Sequence, residues 1–343
     1  MRPSVGSHRR LAPSGFDRGA TVLCVLSATA AALGAAGAAP ASAAPNGEGP
    51  AEVDRLYEEA ENATEAYNKA DEQAGKLREQ VREAQDHIAR QQQHINTMRE
   101  ELGSLAGAQY RAGGIDPAVA LLFSTDPGDY LDKAAALDRI GIRQADRLLE
   151  LQSVMRELAQ ERAATAGKLA ELEKNRKAVA THKRTVERKL AKARELLNSL
   201  PYAQRAAYER ASRDGAADLP DLRGVSAPNG RAAAAIAAAR SALGRPYVWG
   251  ANGPAGFDCS GLMQWSYAQA GVQLPRTSQA QRYAGQQVPF SQIRPGDLVV
   301  YRSDAGHVAM YAGNGQVIHA PHPGAPVRYD PVGMMPVSSV TRV

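Results

Sequence analysis

The chain has 343 residues, a formal net charge of +5, 5% aromatic residues and two cysteines. Two cysteines exclude a disulfide framework, and so small a charge, with no basic run of five or more, excludes nucleic acid as the natural partner. The length beyond the N-terminal segment suits two domains.

Residues 1–43 are expected to be a secretory signal peptide. Arg2, Arg9, Arg10 and Arg18 give a basic start, "ATVLCVLSATAAALGAAGAA" an apolar run, and Ala41-Ser42-Ala43 a small-residue cleavage site. A retained membrane anchor is the alternative, disfavoured because the run is short and rich in Ala and Gly rather than Leu and Ile. Cleavage removes four Arg and one Asp, so the charge falls to 5 − 3 = +2. Cys24 leaves with the signal, and Cys259 becomes the only thiol.

Residues 51–212 read as a pair of long helices. Steps of 4 and 3 from Leu56 visit Ala60, Ala63, Tyr67, Ala70, Ala74, Leu77, Val81, Ala84, Ile88, Gln91, Ile95, Met98, Leu102 and Leu105, a heptad seam broken only by Gln91. A second seam runs from Leu148 to Leu200 and is weaker, with polar Arg162, Thr165, Arg176 and Lys183 in it. The two are nearly equal in length, each roughly 75 Å at 1.5 Å per residue. Matched lengths predict an antiparallel coiled-coil hairpin, with a parallel homodimer as the alternative. Gly113-Gly114 ends the first helix, and "AVALLF" (118–123) at the tip either closes the hairpin or docks a partner. His87, His94 and His182 fall at charged, solvated positions and are expected to be surface residues.

Residues 213–229, rich in Gly, Pro, Asp and Ser, read as a linker. Beyond it, 230–343 has nine Arg, four Asp, no Lys and no Glu. Its charge of +5 faces 2 − 5 = −3 on residues 44–229, which permits attraction between them. A flexible linker of this length reaches about 20–25 Å, enough for the hairpin to fold over the second domain.

In that domain "RAAAAIAAARSAL" (231–243) is a helix, "YVWGANGPAG" (247–256) a glycine-rich loop, and "CSGLMQWSYAQAG" (259–271) a second helix. Asp258 is its natural N-cap, so Cys259 sits in the first turn, where free N–H groups and the helix dipole favour a thiolate. The bland alternative, a small buried hydrophobe, does not explain that position. A nucleophilic thiolate needs a base. "DLVVYR" (297–302), "HVAMYAGNGQVIHA" (307–320) and "PVRYD" (326–330) read as an antiparallel meander. A three-residue Gly313-Asn314-Gly315 loop would pair Ala312 with Gln316 and set Ala309 opposite His319. His307 and His319 then share a face about 7–8 Å apart, while Val308, Met310, Ile318 and Ala320 share the other. One histidine can serve as base and the other orient it. A metal site is disfavoured, because no carboxylate or further cysteine stands at ligand spacing. His322 has no assignment.

"YVWGANGPAGFDCSGLMQW", "LPRTSQAQ", "IRPGDLVVYR" and "GHVAMYAGNGQVIHA", in this order, resemble the NlpC family of cell-wall cysteine peptidases across residues 231–343. The resemblance implies a papain-like α+β fold that hydrolyses peptidoglycan stem peptides, typically between D-glutamate (through its γ-carboxyl) and diaminopimelate. Carried over by motif, Cys259 is the nucleophile, His307 the base and His319 the orienting residue. Tyr247, Asp258, Ser260, Arg276 and Ser278 line the cleft, with Asp258 and Arg276 set to read the charged substrate or, alternatively, to act as helix cap and surface arginine. "WGAN" departs from the family, where a second glycine commonly follows Trp-Gly. No cofactor or metal is expected. The helical half is similar, less specifically, to the N-terminal region of exported actinobacterial members. A regulating or a spacing role follows for it, with a membrane-anchored division or elongation partner engaging the tip. The expected location is the cell wall or extracellular space. A related-fold amidase or acyltransferase, or a non-catalytic wall-binding scaffold, is the alternative.

Overall fold

The computed structural model describes residues 48–111, 119, 127–214, 227 and 229–343. The signal-peptide segment, most of the tip "AVALLF" and most of the linker lie outside the described residues. No described helix is long and apolar enough to cross a membrane.

The heptad seam becomes an antiparallel helical hairpin. Helix α1 (Glu48–Arg111) packs along α2 (Pro127–Ser199), followed by α3 (Tyr202–Asp214). The direction is fixed by cross-pairs: Arg162 donates to Gln92 at 2.8 Å, and Lys189 bonds Glu59. Leu56, Ala60, Ala70, Ala74, Val81, Ala84, Ile95 and Met98 are buried from α1, and Leu158, Val186, Leu190 and Ala193 from α2. One chain therefore covers its own stripe, as the antiparallel reading expects. Where the second seam is polar or unmatched the cover thins: Leu148, Met155 and Leu169 stay exposed. His87 and His94 are exposed, and His182 is half-buried.

The remainder is an α+β domain with the thiol on a helix and the histidines on the sheet it packs against. Helices α4 (Gly230–Ser241), α5 (Cys259–Gln269) and the short α6 (Ser278–Gln281) precede or flank six antiparallel strands. These are β1 (Gln286–Val288), β2 (Leu298–Tyr301), β3 (His307–Gly313), β4 (Gln316–His319), β5 (Arg328–Pro331) and β6 (Val337–Arg342), in sheet order β1-β6-β2-β3-β4-β5. The meander β2 to β5 matches the alternation read from the sequence; β1 and β6, short and polar, were not anticipated. Alternate residues Leu298, Val300, Val308, Met310 and Ile318 pack under Ala235 and Ala239 of α4 and Leu262, Met263 and Tyr267 of α5. Val299, Tyr301, Ala309 and Val317 form a second cluster on the other face.

The β3–β4 turn corrects one expectation. The loop has two residues, Asn314 and Gly315, both left-handed at φ 51° and 72°, and Gly313 rather than Ala312 stands opposite Gln316. A bulge between Tyr311 and Gly313 absorbs the extra residue. The pairing then resumes at Tyr311–Val317 and Met310–Ile318, the register that the three-residue loop would have given.

Candidate active site

The glycine-rich loop delivers the chain to the start of α5. Asp258 caps that helix, its Oδ1 accepting from the Gly261 N–H at 2.7 Å, an arrangement worth about 1 kcal/mol. Its other oxygen accepts from the Gly250 N–H at 3.0 Å, tying loop to helix. Arg276 clamps the same carboxylate with both terminal nitrogens, at 3.0 and 2.6 Å, and donates to Ser260 Oγ at 2.9 Å. Both residues are buried, so Arg276 is not a surface arginine, and Asp258 is helix cap and ion-pair partner at once. Tyr247, Ser260 and Ser278 are buried around them.

The sheet supplies the imidazoles. His307 Nε2 lies 2.8 Å from His319 Nδ1, and the rings stand perpendicular with centroids 5.0 Å apart. The Cys259 sulfur, an imidazole nitrogen of His307 and a carboxylate oxygen of Glu61 all lie within 4.8 Å of one another. Cys259, His307 and His319 are thus brought together from α5, β3 and β4.

Glu61 lies beside the heptad seam and not in it. Tyr57, Glu61, Thr64, Glu65 and Asn68 are spaced along one side of α1, and all five are buried. This side enters the cleft. His307 Nδ1 bonds Glu61 Oε1, and Arg302 donates to Glu61 Oε2 at 2.6 Å. Glu65 accepts from Ser260 Oγ at 2.6 Å and from the Ser278 N–H at 2.8 Å, and the Cys259 sulfur lies 3.7 Å from it. Asn68 donates to Asp258 Oδ2 at 3.1 Å. Around this plug Tyr57 stacks on His322 at 4.8 Å, and Tyr67 meets Trp249 edge-on at 5.2 Å. His322 therefore packs against the hairpin. Gly250 marks how closely the helix approaches, since a side chain there would come to 3.2 Å from the Tyr67 ring. A cleft of about 480 Å³ remains beside the plug, bordered by Glu58, Tyr247, His319 and Arg328.

Acidic side chains dominate the electrostatics around the thiol. Burial, followed by the charges of Glu61, Glu65 and Asp258, pushes the Cys259 thiol well above its ordinary value. The depression expected from the helix dipole is overridden, because the thiol is buried and faces three acidic side chains. Glu61 is raised by burial but brought down to about 2 by the charges of His307 and Arg302. A carboxylate can only accept, so the proton on the Glu61 bond belongs to His307 Nδ1. A nitrogen that donates this bond cannot take up a proton at the same time.

Glu65 goes the other way, pushed up to about 8 by burial and then by the charge of Asp258. Its value is raised above the ordinary 4.5, so its contribution to the seated helix is full below that value and is lost as pH rises through 8. The Glu61 contribution, with its value depressed, holds above 4.5 and is lost as pH falls toward 2. Raising the pH from 7 to 9 should therefore loosen α1. Tryptophan fluorescence, sensitive to Trp249 beside Tyr67, should change over that interval, and Glu65→Gln should flatten the change. An identical alkaline transition in both chains would assign it to another group.

Residues 244–340 match the NlpC/P60 family model. A "Probable endopeptidase" of Corynebacterium glutamicum (strain R) is 44% identical over 126 residues, 36% of this chain and 60% of that protein. "Probable endopeptidase p60" of Listeria monocytogenes is 50% identical over 97 residues, 28% of this chain and 20% of that one. Among solved structures, the peptidoglycan hydrolase RipB of Mycobacterium tuberculosis is 34% identical, covering 37% of this chain and 70% of that chain, with a TM-score of 0.32. This chain thus spans at most about 60% of the length of these curated relatives. Cys259, both histidines and the Asp258–Arg276 pair all fall inside the matched segment, and through residues 244–340 the chain belongs to the NlpC/P60 family.

Proposed function

We propose that the protein is an exported peptidoglycan endopeptidase of the thiol type, acting in the cell wall and held inactive by its own helical hairpin. The observation that carries the chemistry is a thiol at a helix start within 4.8 Å of an imidazole, inside the family-matched segment. Once α1 has left, the Cys259 thiol gives its proton to His307, and the thiolate attacks the scissile carbonyl. The Cys259 backbone N–H, free at the start of α5, faces the developing oxyanion. His307 then protonates the departing amine, and afterwards removes a proton from the water that releases the acyl-enzyme. His319 orients His307. Tyr247, Asp258, Ser260, Arg276 and Ser278 form the binding cleft, and the scissile bond is the D-γ-glutamyl–diaminopimelate link of the stem peptide. No cofactor enters this scheme.

Regulation rather than spacing is supported by what Glu61 and Glu65 touch. A passive spacer has no need to bury two glutamates against a thiol and its base. The distal end of the hairpin, with its exposed Leu148 and Leu149, is the handle for a membrane-anchored division or elongation partner that withdraws α1. Mass spectrometry of muropeptides digested with the full chain carrying Glu61→Ala and Glu65→Ala tests the chemistry. New N-terminal diaminopimelate is expected. A cut at the lactyl–alanine amide would instead identify an amidase, transfer products an acyltransferase, and an unchanged profile a wall-binding scaffold.

A further inference from the structure

Beyond His319 the sheet holds one more group in line. His319 Nε2 lies 2.6 Å from Asp330 Oδ2, and Asp330 in turn accepts from Arg328 Nε at 2.8 Å. Strand β5 makes this possible. In the β4–β5 register Val317 stands opposite Asp330 and His319 opposite Arg328, so Asp330 is the diagonal neighbour of His319. Its side chain is 15% exposed and that of His319 only 2%. Arg328 is held from its far side by the Ser212 carbonyl at 2.6 Å. We propose that Asp330 is a positioning residue that sets the tautomer of both histidines, an inference that rests on the thiol-peptidase reading for its kinetic consequence but not for its structural one.

The hydrogen-bond chain runs inward from this carboxylate to His307. Asp330 is ionised: burial raises its value, but the bonds and charges of His319 and Arg328 bring it below the ordinary range. An ionised carboxylate can only accept, so His319 Nε2 carries a proton. Burial, more than any neighbouring charge, depresses His319 to about 4, so the ring is neutral and its Nδ1 is bare. A bare Nδ1 at 2.8 Å from His307 Nε2 can only accept, which puts a proton on His307 Nε2. In the open enzyme, a neutral His307 with its proton on Nε2 has Nδ1 free, and Nδ1 is the nitrogen that bonds Glu61, whose carboxylate clusters with His307 and the Cys259 sulfur within 4.8 Å. Asp330 therefore reaches the base through two hydrogen bonds and no contact with substrate.

Asparagine at 330 would undo this. Arg328 would take the amide oxygen and turn the NH2 toward His319, which would then have to accept at Nε2 and carry its proton on Nδ1. That proton would meet the one on His307 Nε2, and His307 would shift its own to Nδ1, where it no longer serves as a base. A carboxylate-to-amide change directly on a catalytic histidine costs about 10⁴ in kcat, and one histidine further out a loss of about 10- to 100-fold is expected.

The test uses the full chain with its histidine rings labelled with nitrogen-15. In the unsubstituted protein, ring nitrogen shifts should report His319 as neutral with its proton on Nε2; a proton on Nδ1 overturns the proposal without any variant. Asp330→Asn should move that proton to Nδ1, and Asp330→Glu should keep it on Nε2. Kinetics are read in the Glu61→Ala, Glu65→Ala background. There Asp330→Asn should lower kcat about 10- to 100-fold with KM unchanged, and Asp330→Glu should recover much of it. An unchanged kcat, or a fall in which KM rises instead, overturns the positioning role. Absence of hydrolysis in the background protein itself counts against the peptidase reading, while the nitrogen shifts still decide the tautomer.

Discussion

Substituting both Glu61 and Glu65 by alanine should raise hydrolysis of purified peptidoglycan by the full chain at least about tenfold, the change that a 1.4 kcal/mol shift in a two-state equilibrium produces. The closed state depends on buried Glu61 as the partner of half-buried Arg302 and of His307 Nδ1. Removing one partner of a buried ion pair typically costs about 3–5 kcal/mol, and less is expected at Arg302, whose charge keeps Glu58 at 3.5 Å and Asp304 at 3.7 Å. On the proposed reading this loss has an outlet, because the helix leaves and water enters. The substitutions therefore cost the closed state and not the catalytic domain. Alkylation of Cys259 gives a second reading that needs no substrate. Iodoacetamide should modify the thiol slowly in the unsubstituted chain, where it is 1% exposed, and rapidly in the double variant. Glu58→Ala is the control. Glu58 also meets Arg302, at 3.5 Å, but its side chain is 47% exposed, and such a pair is worth about 0–1 kcal/mol. If hydrolysis and alkylation both stay at the unsubstituted level, the hairpin is a spacer.

The helical half was legible in the sequence wherever burial is apolar. A seam from Leu56 to Met98 announces itself by period, and it is buried at most of its positions, with Ala63, Tyr67, Leu77, Ile88 and Gln91 half-buried. The stripe that fills the cleft is on the same helix and equally periodic, yet it consists of Glu61, Thr64, Glu65 and Asn68. Nothing in a sequence separates such a stripe from a solvated face, because its burial depends on Arg302, Ser260 and Ser278 more than 190 residues away. The same holds at the thiol. A helix start lowers a cysteine's value only while water and cations outweigh nearby anions, and the anions here arrive from another element. Cys259, His307 and His319 were legible because hairpin geometry is local and the domain's motifs stand in order. Asp330 was hidden behind one further step, the β4–β5 register, although "RYD" could have been laid beside "VIH" by the same alternation that aligned the histidines.

With the site opened by Glu61→Ala and Glu65→Ala, Cys259→Ala should abolish hydrolysis while leaving the fold intact. The sulfur is packed among Tyr247, Phe257 and Leu262, and its loss trims one atom from a buried cluster, a change of about 1 kcal/mol that a thermal melt can confirm. No neighbouring hydroxyl can stand in. Ser260 is fixed between Arg276 and Glu65 in the closed state, and its partner Arg276 stays clamped to Asp258 without the hairpin. His307→Ala should be as damaging as loss of the thiol, since groups that act as a unit fail together. His319→Ala should cost less, because it removes the ring that orients the base and leaves the base itself. A mid-sized loss there, with KM unchanged, also separates orientation from binding. Equal and nearly full rates for the two histidine variants would take the proton away from β3 and β4, and the mechanism with it. Full activity of Cys259→Ala would end the thiol mechanism outright.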